Sequence, residues 1–152
     1  MNLVLDTGIL AQLCHPHGTR NRPVVEWLVR LLRRQVDMPA NVFIPEIADY
    51  ELRRKLLHLV HKGQASPRSI ERLDDLERLL DYLPLDTEVM HQAAGLWAEA
   101  RRQGHPTAAN EALDGDVILA AQAISASGIV VTTNRKHLSR FVATMEWSDI
   151  LT

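Results

Sequence analysis

Three short, continuously apolar runs constrain this chain most: Leu3-Val4-Leu5, Val42-Phe43-Ile44 and Ile129-Val130-Val131. Such runs read as strands buried on both faces, the condition of strands in a parallel sheet. Longer amphipathic segments alternate with them, the pattern expected of a sheet covered by helices on both faces. The fold class expected is therefore α/β. Its first strand ends on a carboxylate, Asp6, followed at once by Thr7-Gly8. The C-terminal ends of strands are where open α/β sheets hold their ligands. Asp6 can equally cap a helix beginning at Ile9-Leu10-Ala11.

The connecting segments carry their own start and stop signals. Val24, Val25, Leu28, Leu31 and Leu32 recur at helical spacing after Pro23, predicting a helix from Pro23 to about Gln35. Pro45 closes the second strand and opens a helix from Glu46 to His61-Lys62, stopped by Gly63. Ser66-Pro67 starts a third helix through Leu80, and Leu83-Pro84-Leu85 is extended. Asp86 caps a fourth helix ending near Gly104, before a polar loop from His105 to Glu111. Asp114 and Asp116 open an apolar helix through Ala121, favourable at the positive end of a helix dipole. Thr133 to Lys136 reads as a polar turn, and Met145-Glu146-Trp147 as a small edge strand.

A length of 152 residues predicts one domain over 1-152 with a real core. A hydrophobic fraction of 46% and a charged fraction of 24% are those of an ordinary globule, and no apolar stretch is long enough for a membrane span. The N-terminus lacks a signal peptide's basic start and cleavage site. Cys14 is the sole cysteine, which excludes an internal disulfide and zinc ribbons and makes the cytoplasm the expected compartment. The net charge of −2 argues against binding nucleic acid through bulk positive charge.

Acids recur at equivalent places. Asp6 follows a strand, Glu51 lies early in the helix after a strand, and Asp114 and Asp116 stand at another helix start. A parallel sheet brings such ends to one edge. Converging carboxylates repel by about 3 kcal/mol per pair at roughly 5 Å and an effective dielectric of about 20, so they need a cation. Oxygen-only ligation points to Mg²⁺ or Mn²⁺, and the matching chemistry is hydrolysis of a phosphodiester. Basic clusters that include Arg53, Arg54 and Arg135 are candidates for holding substrate phosphates, against the plainer reading of solvated helix faces.

On these residues the chain resembles the PIN-domain ribonucleases, particularly the VapC-type toxins of toxin-antitoxin pairs. The resemblance runs through Leu5-Asp6-Thr7, Ile44-Pro45-Glu46-Ile47-Ala48-Asp49-Tyr50-Glu51-Leu52-Arg53-Arg54, Asp116-Val117-Ile118-Leu119-Ala120-Ala121 and Val131-Thr132-Thr133-Asn134. It implies a PIN-like three-layer sandwich, a parallel sheet of about five strands between helices. It implies Asp6, Glu51 and Asp116 as catalytic carboxylates that hold Mg²⁺ or Mn²⁺ for endoribonuclease action on RNA. The partners it implies are a cognate antitoxin and a homodimer or toxin-antitoxin hetero-oligomer. The small size favours a toxin over a housekeeping PIN nuclease in RNA processing.

Asp114 and Asp116 point about 200° apart on a helix, so both face a metal only if the helix begins between them. Asp116 is preferred as ligand, with Asp114 as cap or outer partner. The chain departs from the family in having Asn134, and His137 after it, where further acids are frequent. Asn134 and Thr132 remain auxiliary candidates, for a metal water, a phosphate oxygen or the orientation of a carboxylate, against turn chemistry. Glu46 and Asp49 are assigned to the helix N-terminus or a link to Arg53. Cys14-His15-Pro16-His17 is a loop rather than a zinc site, His58 and His61 are exposed helix positions, and the three tryptophans are core or interface residues. Two rivals remain. Leu5-Asp6-Thr7-Gly8 also resembles the active-site loop of aspartic proteases, which the helical periodicity disfavours, and a non-catalytic regulator could bind a cation in the same acidic pocket.

Overall fold

In a computed structural model, whose described residues are 1–15, 18–34, 39–104 and 110–152, the chain runs β1 (Asn2–Leu5), α1 (Thr7–Cys14), α2 (Gly18–Arg33), β2 (Asn41–Pro45), α3 (Glu46–His61), α4 (Arg68–Leu79), β3 (Asp81–Leu83), α5 (Thr87–Arg102), α6 (Asn110–Ser125), β4 (Ile129–Val131), α7 (Arg135–Leu138) and β5 (Thr144–Met145). A 3₁₀ turn at Trp147–Asp149 follows. The five strands form one sheet in the order β3-β2-β1-β4-β5, and every pairing is parallel.

Alternation along the strands sorts the core into two layers, because successive side chains point to opposite faces. Leu3, Leu5, Val42, Ile44 and Val131 pack with α1, α2 and α4. Val4 and Val130 pack the other way, against Leu119 and Ala123 of α6 and Leu138 of α7. A further layer joins α5 to α6 through Val89, Ala93, Val117 and Ala121. Helix α3 contributes Ala48 and Leu52 to the first cluster and Ile47 to the second, so it straddles the sheet at the end of β2. The expected three-layer α/β sandwich is what forms.

Several boundaries differ from the sequence reading. Helix α2 begins at Gly18, with Pro23 inside it. Its first turn is exposed and polar, so the apolar periodicity shows only from Val24. Strand β3 occupies Asp81–Leu83, ahead of the expected Leu83-Pro84-Leu85. Of the expected turn at 133–136, Arg135 and Lys136 open α7, and of the expected edge strand only Met145 joins β5 while Trp147 enters the 3₁₀ turn. Pro16 and His17, Gln35, and 105–109 of the expected polar loop lie outside the described residues.

One buried amide ties the layers together. Gln122 is fully buried in α6; its Oε1 accepts the Ile47 N–H at 3.2 Å and its Nε2 donates to the Leu83 carbonyl at 2.7 Å. Ile47 sits in the first turn of α3, where N–H groups have no partner within the helix. The helix carrying Asp116 is thereby fixed to the start of the helix carrying Glu51.

Candidate active site

The strand order reverses at β1: the chain fills β2 and β3 on one side, then β4 and β5 on the other. Crevices at the carboxyl ends of strands beside such a switch point are where α/β sheets bind ligands. Asp6 and Thr132 stand there, directly after the paired residues Leu5 and Val131. The register places them together, and the Asp6 N–H donates to the Val131 carbonyl at 3.1 Å.

Asp6 serves as both cap and cleft residue. Its Oδ1 accepts the Ile9 N–H at 2.7 Å, capping α1, and its Oδ2 accepts the hydroxyl of the fully buried Thr132. The Thr132 hydroxyl oxygen in turn accepts the Asn134 N–H at 2.8 Å. Glu51 approaches from α3, and Thr7 donates its hydroxyl to Glu51 Oε1 at 3.2 Å. Asp116 approaches from α6. The three carboxylates line a cleft of about 260 Å³ with Thr7, Gly8, Gly115, Thr133 and Asn134. A larger groove of about 570 Å³ between α1, α2 and α4 contains none of these acids, so chemistry rather than size picks out the smaller one.

Burial raises the pKa of Asp6, against the hydrogen bonds from Thr132 and from the Ile9 and Gly8 backbone. Burial likewise raises that of Asp116, with the charges of Glu51 and Asp6 adding to the rise while His137 and Arg140 oppose it. Both groups are therefore costly anions without a cation. Below the ordinary carboxylate pKa of about 4 they are protonated in both folded and unfolded chains. As pH rises from there through the raised folded values, the folded state holds its protons longer and loses stability on giving them up. In the absence of divalent ions, the melting temperature of Asp116→Asn relative to wild type is expected to rise with pH over this window. A difference that falls with pH in thermal melts would contradict it.

The remaining expectations divide. Asp114 lies two residues from Asp116 inside a helix that begins at Asn110, so it faces elsewhere and lines a groove with Met90, Ala93 and Trp97 of α5. That corrects the possibility that both acids enter the cleft. Arg53 is corrected as well: its Nε meets Asp49 at 3.0 Å, its Nη1 Asp74 at 2.9 Å and its Nη2 Glu77 at 2.9 Å. Those bonds join α3 to α4 and engage three of the five guanidinium N–H donors, so the side chain serves first as a structural link between the helices. Arg54 and Arg135 are exposed. Glu46 accepts the Leu85 N–H at 2.6 Å, and Asp49 makes the link to Arg53 already expected of it. His58 and His61 are exposed, and Trp27 is core, packed on Trp147.

Gly115 also shapes the cleft, because its missing side chain admits Glu51: a Cβ there would stand 3.1 Å from Glu51 Oε2. Gly115→Ala gains about 0.5–1 kcal/mol in helix propensity but must push Glu51 aside. The expected result is a melting temperature close to wild type with weakened Mn²⁺ binding at the cleft, read by titration calorimetry. Sequence reasoning passed over Arg140, whose charge reaches Asp116. The only sequence signal for Arg140 is a lone basic residue after a polar turn.

All-oxygen donors at a strand edge suit a hard cation. Among the described residues no three His, Cys, Asp or Glu side chains are grouped closely enough to grip one ion together. The cleft thus fits Mg²⁺ or Mn²⁺ held by one or two carboxylates and retained waters, with the other acid acting through water.

Residues 3–142 match the family description "PIN domain". The chain belongs to the PIN-domain family. PIN domains are in general nucleases that use divalent metals. No curated protein matches this PIN domain in sequence. Solved structures similar to it include VapBC-1 from nontypeable Haemophilus influenzae, at 20% identity and a TM-score of 0.72 over 98% of this chain and 100% of that one. FitAcB from Neisseria gonorrhoeae is similar at 22% identity and a TM-score of 0.69, covering 97% and 99%. VapBC2 from Rickettsia felis, bound to a promoter DNA fragment, is similar at 20% identity and a TM-score of 0.69, also over 97% and 99%. At these identities the likeness establishes the shared fold. Among the described residues no helix of this PIN domain is long and apolar enough to cross a membrane.

Proposed function

We propose that this chain, one PIN domain over residues 1-152, is an Mg²⁺- or Mn²⁺-dependent endoribonuclease acting in the cytoplasm as the toxin of a toxin-antitoxin pair. The observation that carries the reading is the convergence of Asp6, Glu51 and Asp116, from three separate elements, on one cleft at the switch point of the sheet. The chemistry supplied by a bound divalent ion is neutralisation of the three carboxylates and polarisation of the attacking water.

The chain's own residues do the positioning. Thr132 and the Ile9 N–H fix both oxygens of Asp6, each of which keeps a lone pair for the cleft. Thr7 orients Glu51. Asn134 lines the cleft without using its side chain as a helix cap, so its amide is available to a phosphate oxygen or water. Arg140 places positive potential beside Asp116, where a polyanion must enter. Arg54 and Arg135 are proposed phosphate contacts on the exposed flanks.

The toxin assignment draws on the similarity to VapBC and FitA–FitB structures, and it implies a small antitoxin encoded alongside that covers the cleft, with homodimers or hetero-oligomers of the two. The test is cleavage of single-stranded RNA by the purified chain. Cleavage should require Mg²⁺ or Mn²⁺, stop with a chelator, and be blocked by the product of the adjacent short reading frame. Cation binding with no cleavage of any RNA would instead favour a regulator.

A further inference from the structure

The chain has three tryptophans, two tyrosines and two phenylalanines, and their placements differ sharply. Trp27 is buried against Trp147, Phe43 packs under the sheet, Arg101 covers Trp97, and Arg140 covers Phe141. The hydroxyl of Tyr82 is engaged by Asp49 at 2.9 Å. Tyr50 is the most exposed of them, at 56%. It immediately precedes Glu51 on α3, and among the described residues its hydroxyl makes no hydrogen bond. The Arg54 guanidinium lies over its ring, 4.9 Å from the centroid.

A large ring left in water gives up the burial available to an aromatic side chain, and the Arg54 guanidinium over one face favours that arrangement. Arg54 is also three residues after Glu51, on the same side of the helix as the acid that enters the cleft. Single-stranded RNA is recognised by stacking its splayed bases on aromatic and guanidinium planes, with cations tracking the backbone.

We infer that Tyr50 and Arg54 form a base-stacking subsite beside the cleft: one nucleobase of single-stranded RNA stacks on the open face of the Tyr50 ring while Arg54 caps the other. The inference rests on the ribonuclease reading above. Stacking is tolerant of sequence because every base has a π face, so the subsite sets where the strand lies more than which base is cut.

The experiment measures binding of an end-labelled, short single-stranded RNA by fluorescence anisotropy, with a chelator present to stop cleavage. Tyr50→Ala and Tyr50→Leu should each weaken binding by about tenfold, whereas Tyr50→Phe keeps wild-type affinity. An RNA carrying an abasic site at one particular position should bind wild type as weakly as intact RNA binds Tyr50→Ala. If both Ala and Leu variants bind RNA like wild type while divalent-dependent cleavage persists, the subsite is wrong and the nuclease reading stands. If wild type neither binds nor cleaves RNA, both fall. A changed sedimentation coefficient in Tyr50→Ala with unchanged RNA affinity would make the ring a protein contact and also overturn the inference.

Discussion

Asp116→Asn is expected to lower divalent-dependent RNA cleavage by about a thousandfold or more while making the protein more stable in a chelator. The two effects have one cause. Asp116 is a half-buried carboxylate whose ionisation is opposed by burial and by the neighbouring charges of Glu51 and Asp6. Replacing it with an amide of the same shape removes that repulsion and so relieves the metal-free fold. It also removes a cation ligand, and losing several kcal/mol of transition-state stabilisation amounts to about three decades in rate. Asp6→Asn should lose activity similarly but gain less stability, because the Asp6 carboxylate also accepts the Ile9 N–H and the Thr132 hydroxyl. Activity assays paired with thermal melts separate this from simple misfolding: a misfolded variant loses both.

Gln122→Leu has the largest expected effect on stability. The substitution keeps most of the volume but strands the Ile47 N–H and the Leu83 carbonyl that Gln122 satisfies. Each buried polar group left without a partner costs about 1–3 kcal/mol, so a loss of about 2–6 kcal/mol is expected. For a domain of this size that lowers the melting temperature by on the order of 10 °C. Ser125→Ala, which removes a hydroxyl donated to the Gln122 backbone carbonyl at a partly buried position three residues on, should cost far less. Equal losses for the two variants in denaturant titrations would show that the Gln122 amide does not bridge the layers.

The sheet was legible because its three central strands are buried on both faces, which leaves an unmistakable apolar run at Leu3–Leu5, Val42–Ile44 and Ile129–Val131. Edge strands carry less signal. Asp81 and Tyr82 of β3 are exposed, and β5 has only two residues. Two helices start earlier than their apolar periodicity shows, α2 at Gly18 ahead of Val24 and α6 at Asn110 ahead of Leu113. The second of these decided the fate of Asp114: with α6 running from Asn110, it faces α5 rather than the cleft.

Asp6, Glu51 and Asp116 could be picked out because each follows a recognisable strand or opens a recognisable helix. Arg53 and Arg54 could not be told apart in sequence, being adjacent members of one basic cluster. Their roles separate only when α4 supplies Asp74 and Glu77 to one of them, and Tyr50 meets the other. Gln122 gave no signal either. A single amide in an apolar helix becomes meaningful once its two backbone partners are in place.

On the proposed reading, the cleft lined by carboxylates from β1, α3 and α6 is one divalent-cation site, bound directly by one or two of them and through water by the other. Titrating Mn²⁺ into the wild-type chain and into Asp6→Asn, Glu51→Gln and Asp116→Asn by calorimetry tests it most directly. The expected result is a wild-type site that each substitution weakens by tenfold or more, without loss of folded structure. Mn²⁺ affinity unchanged in all three folded variants would contradict it.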